Sequence, residues 1–153
     1  MIIRNCAGGV VFSGNKVFLL RNDKSEWVLP KGVIREKRKS AEVALERVRI
    51  EAGITAEILH AAGDTSYEFY SQTRRQPVCN RIAWYVMRAA SEEYRIAFEQ
   101  GFIDGDWYPV EQAIDLVTYS QDRSIVRIAY EIYQSIIEAE KPVGGEPTAG
   151  SQA

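Results

Sequence analysis

Hydrophobic and polar positions along the chain change period several times, and each change marks an element. Ala7 to Ser13 is small and β-branched, Lys16 to Leu20 is apolar, and Ser13-Gly14-Asn15 between them reads as a tight turn, which predicts a β-hairpin. Trp27-Val28-Leu29 is a short apolar strand stopped by Pro30, and Lys31 to Lys39 is a charged loop opened by Gly32. From Ser40 the spacing becomes helical. Ala41, Ala44, Leu45, Val48 and Ala52 fall on one face as the expected buried stripe, with Ser40 as N-cap and Gly53 as the stop.

Thr55 to Phe69 is strand-like again, Ser71 to Gln76 is a polar turn containing Arg74 and Arg75, and Pro77 to Ala89 includes the β-rich run Ile82 to Val86. Pro109 begins a short helix, Val110 to Leu116. Gln121 to Ala139 is a longer one, with Ile125, Ile128, Ala129, Ile132 and Ile136 on one side. Residues 141–153 are rich in Gly, Pro and Ser and lack periodicity, which predicts a disordered tail behind a domain of residues 1–140. No internal repeat is visible. Strands interleaved with one middle and two late helices fit an α/β (α+β) chain with a mixed sheet between helical layers.

Bulk properties narrow the classes. The 153 residues are 46% hydrophobic and 26% charged, an ordinary globular balance. A formal net charge of -2 argues against nucleic-acid binding by whole-molecule charge. No apolar run is long enough to span a bilayer, and Met1-Ile2-Ile3-Arg4-Asn5 lacks a signal peptide's layout, so a cytosolic protein is expected. Cys6 and Cys79 sit in strand-like runs without CxxC spacing and read as buried structural thiols. His60, the sole histidine, has no nucleophile motif beside it and is not expected to be catalytic.

The segment Gly32 to Ile54 resembles a Nudix box, which is a glycine, five residues, a glutamate, seven residues, then Arg-Glu-aliphatic-x-Glu-Glu-x-Gly-aliphatic. Gly32, Val48, Gly53 and Ile54 occupy their places in it. Leu29-Pro30-Lys31-Gly32, entered from Trp27, looks like the lead-in of Nudix enzymes that cleave diadenosine polyphosphates or diphosphoinositol polyphosphates. Asp106-Trp107-Tyr108-Pro109-Val110-Glu111-Gln112-Ala113 resembles the family's Trp-x-Pro-x-Glu-x-Ala segment, and the likeness covers residues 4 to 135. It implies an α/β/α sandwich around a mixed sheet and a phosphorylated small molecule as ligand.

The family breaks pyrophosphate bonds with bound magnesium or manganese, which stabilises charge on phosphoryl oxygens and activates a water. Such hard cations need several carboxylate oxygens converging from one side. Here the loop glutamate is replaced by Arg38, the Arg-Glu pair is reversed to Glu46-Arg47, and Ile50 takes the next glutamate's place. Only Glu51 survives, so four carboxylates become a set with a net charge of about +1. Glu46 is turned about 100° around the helix from the ligand position and does not replace Arg47. An auxiliary glutamate in a later loop has Glu99 near its place, though Gly101 aligns better.

The resemblance and the substitutions together leave three readings. The first is a catalytically impaired protein that binds a phosphorylated small molecule, a nucleotide or polyphosphate, beside Lys31, Gly32, Arg38, Arg47 and Glu51. It needs no cofactor. The second is an active phosphohydrolase using Glu51, with Glu46, and weakly bound Mg2+ or Mn2+, Glu51 being the metal ligand. The third is a protein-interaction module or homodimer with Val43 and Ile50 at its interface. Arg47 is either the i, i+4 surface ion-pair partner of Glu51 or a direct phosphate donor. The run Arg35 to Lys39 is a solvated loop or an anion-binding one, with Lys31 adding to it. Tyr67, Phe69, Tyr70, Trp84 and Tyr85 are expected to be mostly core, with some free to stack on a base.

Overall fold

The computed structural model describes residues 1–142. The tail expected over 141–153 lies outside these residues apart from Lys141 and Pro142. The first strand, β1 (Ile2–Ser13), turns back through Gly14-Asn15 into β2 (Lys16–Asn22), with Phe12 opposite Val17 and Ser13 opposite Lys16. Cys6, Ala7 and Val10 to Phe12 are all buried, a run of consecutive apolar residues that both faces of a central strand require. β1 runs parallel to β6 (Gln76–Ala89), from Ile2 opposite Val78 to Phe12 opposite Arg88. The other pairings are antiparallel: β6 with β5 (Ala56–Ser71), β2 with β3 (Trp27–Val28) and with β7 (Phe102–Pro109), and β1 with β4 (Lys31–Val33).

Alternation along β1 and β2 sends neighbouring residues into opposite cores. Val11, Phe18, Leu20 and Met87 pack under α1 (Ser40–Ala52) with Val43, Val48 and Trp107. Phe12, Leu19, Trp84 and Val86 pack under α2 (Val110–Leu116) and α3 (Ser120–Glu140) with Ala113, Ile125 and Ala129. A mixed sheet between helical layers is therefore the architecture, as the spacing predicts. No helix among the described residues is long and apolar enough to cross a membrane. Cys6 and Cys79 are buried free thiols, and burial pushes the Cys6 thiol up.

Several local expectations are corrected. Lys31 to Lys39 is not loop throughout, because Lys31, Gly32 and Val33 pair with Gly8, Ala7 and Cys6. Backbone pairing of this kind needs no apolar pattern. Ser40 is not the N-cap: Lys39 takes that place with no side-chain cap bond, and the Ser40 hydroxyl bonds Tyr85 Oη across the fold. Gly53 does end the helix, in the left-handed region at φ 66°.

The buried face of α1 is wider than its apolar stripe. Val43 and Glu51 are buried, while Ala41 and Leu45 are only partly so. The chain after β6 covers that flank, where the N–H groups of Arg95 and Ala97 donate to the carbonyls of Ala52 and Glu51 (2.8 and 3.1 Å). In α3 the stripe is rotated. Ile128 is 46% exposed, and Val126 and Tyr133 are buried instead, with Tyr133 stacked on Phe12 at 4.7 Å. β7 carries Asp104 and Asp106 and lacks a clear apolar run, so its place in the sheet is not visible in the sequence.

Candidate active site

Two elements position the box residues: β4, which carries Lys31 and Gly32, and α1, which carries Glu46, Arg47 and Glu51. Gly32 lies against the stem of Arg47. A Cβ there would sit 2.6 Å from Arg47 Cδ, so any other residue would displace the arginine. Held this way, Arg47 donates from Nη2 (2.6 Å) and Nε (3.2 Å) to Glu51 Oε2, and from Nη2 to Gln100 Oε1 (3.1 Å). The Lys31 backbone N–H donates to the other Glu51 oxygen at 3.3 Å.

Glu51 is 4% exposed. Burial pushes its carboxyl up, and Arg47, then Lys31, offset this only in part. The expected surface ion pair is thus a largely buried one. Arg38 and Glu46 form a separate, exposed pair at 2.5 Å, which holds the Glu46 carboxyl below the usual range. Glu46 thus pairs with Arg38, whereas Glu51 pairs with Arg47. Ile50 is half-buried, and Val43 is 2% exposed, so Val43 is not available as an interface residue.

These residues do not fit the family's metal. Of four box positions one carries a carboxylate, and both of its oxygens already accept protein hydrogen bonds. Among the described residues no group of three or more His, Cys, Asp or Glu side chains could hold a metal ion. Glu99 adds nothing, since it is exposed and bonds Arg95 at 3.3 Å.

The five residues expected around one ligand are divided between two recesses. The larger, about 840 Å³, receives Lys31 and Glu51. The smaller, about 430 Å³, is lined by Gly32, Arg35, Arg38, Glu46 and Arg47. The paired Arg47 and Glu51 line different recesses, Arg47 the smaller and Glu51 the larger, and Gln100 lines both. Around the smaller recess the Arg47–Glu51 pair is neutral, and Arg35 and Arg38 outweigh Glu46 by one positive charge.

Sequence reasoning missed several residues of the larger recess. Asp122, in the first turn of α3, is partly buried, and burial pushes its carboxyl up to about 6, with Lys31 offsetting the rise. The Tyr119 hydroxyl donates to Glu26 Oε2 at 2.5 Å, and Asn22 Nδ2 donates to the same carboxylate at 2.9 Å, which lowers it. Gln100 and Phe102 come from the segment around the 3-10 turn Phe98–Gln100. None of these belongs to a motif, and only folding brings them beside Lys31. The aromatic residues expected to be mostly core are divided: Trp84 is 1% exposed and donates from Nε1 to Thr65 at 2.8 Å, whereas Tyr67 and Phe69 are each 39% exposed and line the recess together. Tyr70 is more exposed still and Tyr85 is half-buried. His60 is exposed, its Nδ1 2.7 Å from Ala61 O, and it lines neither recess.

The chain resembles known proteins in fold and in sequence model. An Ap4A hydrolase from C. elegans, solved as a binary complex, superposes with a TM-score of 0.64 at 17% identity, over 86% of this chain and 98% of that one. The E. coli dihydroneopterin triphosphate pyrophosphohydrolase gives 0.65 at 13% identity, over 83% and 96%. A NUDIX hydrolase from Nitrosomonas europaea gives 0.63 at 14%, over 95% and 77%. At these identities the likeness is one of fold. The NUDIX domain model matches residues 3–128, most of the chain, and with the box register and the sandwich around it the chain belongs to the NUDIX family.

Proposed function

We propose that this NUDIX protein binds a phosphorylated small molecule without a divalent metal and hydrolyses pyrophosphate bonds poorly. The anionic group docks in the recess lined by Gly32, Arg35, Arg38 and Arg47. The single observation that supports this most is the state of Glu51, whose two oxygens are taken by Arg47 and by the Lys31 N–H. A cation at that point would meet a guanidinium instead of a second carboxylate, and hard cations bind through several oxygens. Arg47 and Arg38 offer planar donor forks that suit phosphate oxygens. The reading places the protein in the cytosol, where such ligands are abundant.

Arg47 already has partners, so phosphate competes with Glu51 and Gln100 for its donors. Hydrogen bonds to charged groups are worth about 1.5–3 kcal/mol, enough for a doubly charged ligand to share the guanidinium with Glu51. Calorimetry with inorganic pyrophosphate and with ADP in EDTA tests this. Binding that persists in EDTA, weakens with salt and falls about tenfold or more in Arg47→Ala is expected. Binding that appears only with Mg2+ or Mn2+ would reject it, as would turnover of about 1 s⁻¹ or more with those metals, the ordinary enzyme range.

A further inference from the structure

The larger recess has a character opposite to the smaller one. Even with Glu51 assigned wholly to Arg47, four carboxylates (Asp23, Glu26, Glu68 and Asp122) face two ammonium groups, Lys24 and Lys31. A polyphosphate placed there would meet net negative charge. The walls are aromatic: Tyr67 and Phe69 lie side by side with ring centroids 6.0 Å apart, Phe102 and Tyr119 contribute further rings, and Val28, Leu29 and Ile82 add apolar surface. One face of Phe69 already carries a guanidinium, that of Arg4 at 5.7 Å. Asp122 is partly buried in this wall, and among the described residues its carboxylate accepts no hydrogen bond from the protein. Its oxygens still reach solvent from the recess, so a cation entering there can pair with the carboxylate.

We propose that the larger recess is a binding site for a planar, positively charged heteroaromatic group, with Tyr67 and Phe69 as its stacking surface and Asp122 as its countercharge. The proposal rests on the reading above for the rest of the ligand: the phosphate end occupies the arginine-lined recess, and Gln100, common to both, sits at the junction. Rings carrying positive charge are attracted to aromatic faces and to carboxylates in a partly desolvated site, whereas the neutral ring of equal size gains only the stacking.

The test uses two forms of one compound. Nicotinamide riboside has a cationic ring, and its reduced form has a neutral ring of nearly the same size. Neither carries phosphate. The cation should bind the full-length protein at least tenfold more tightly, and Asp122→Asn should remove most of that preference, as Glu68→Gln should in part. Circular dichroism checks that each variant is folded. Equal affinity for the two forms, no binding of either, or a preference unchanged in both folded variants would overturn the proposal. Inorganic pyrophosphate, titrated separately, reports on the arginine-lined recess. Its failure to bind while the riboside preference persists would reject the phosphate reading and leave this one standing.

Discussion

Arg47 Nη2 lies 2.6 Å from Glu51 Oε2 across one turn of α1, so position 47 places a cation where the NUDIX box places a carboxylate. The side chains are 24% and 6% exposed, so the carboxylate is buried and the guanidinium half-buried at the wall of the smaller recess. Breaking such a pair leaves an uncompensated buried charge, whereas replacing both partners with apolar groups is often neutral. Arg47→Ala should therefore lower stability by about 1–3 kcal/mol. The double change Arg47→Met with Glu51→Leu should recover most of it. Urea denaturation of the three proteins checks this, and a double variant less stable than Arg47→Ala would contradict it.

Gly32 and Arg47 should behave as one unit. A methyl group at position 32 would meet the arginine stem at 2.6–2.7 Å and force it off Glu51. Gly32→Ala should thus destabilise the protein in the same range as Arg47→Ala, about 1–3 kcal/mol. Combining the two should cost clearly less than their sum, because residues in contact do not act independently. Additive losses in a double-mutant cycle would show that Gly32 is required for some other reason.

Restoring the box should restore metal affinity. The triple variant Arg38→Glu, Arg47→Glu, Ile50→Glu returns carboxylates to three box positions and removes two guanidiniums. Calorimetry with Mn2+ should detect binding in the triple variant and none in the wild type under the same conditions. Equal Mn2+ binding by both would mean that the wild-type site uses ligands other than the box residues.

Asp122 should make stability depend on pH. Its carboxyl is pushed from an ordinary 3.8 up to about 6, by burial first, with Lys31 of β4 opposing the rise. Tyr119, in the turn before, feels its charge. The folded chain therefore holds this proton more tightly than the unfolded one. The resulting stabilisation is fully present below pH 3.8 and is lost as pH rises through about 6. Asp122→Asn should remove that dependence, so its melting temperature should gain on the wild type between pH 4 and pH 7.5. A constant difference across that range would place Asp122 in ordinary contact with water.

The order of the elements other than β4 and β7 was legible in the sequence because burial sets their period. Val110–Leu116 and the box helix stand where the apolar spacing puts them, and Gly53 ends α1 because a left-handed residue is needed there. The exchange of Arg38, Arg47 and Ile50 for glutamates was equally plain, since Val48, Gly53 and Ile54 fix the register of the box. Side-chain spacing around a single helix likewise sets Glu46 apart from the ligand position at residue 47. What it could not supply was the covering on each flank. Val43 and Glu51 became interior residues only because β4 and the segment through Arg95 and Ala97 close over α1, and Val126 and Tyr133 replaced Ile128 through packing against Phe12 and α2. The division of one expected cleft into two recesses of opposite charge has the same origin. Lys31, Tyr67, Gln100 and Asp122 are far apart in sequence and carry no shared motif, and their proximity is decided by the pairing of strands and the docking of α3, interactions that local periodicity does not encode.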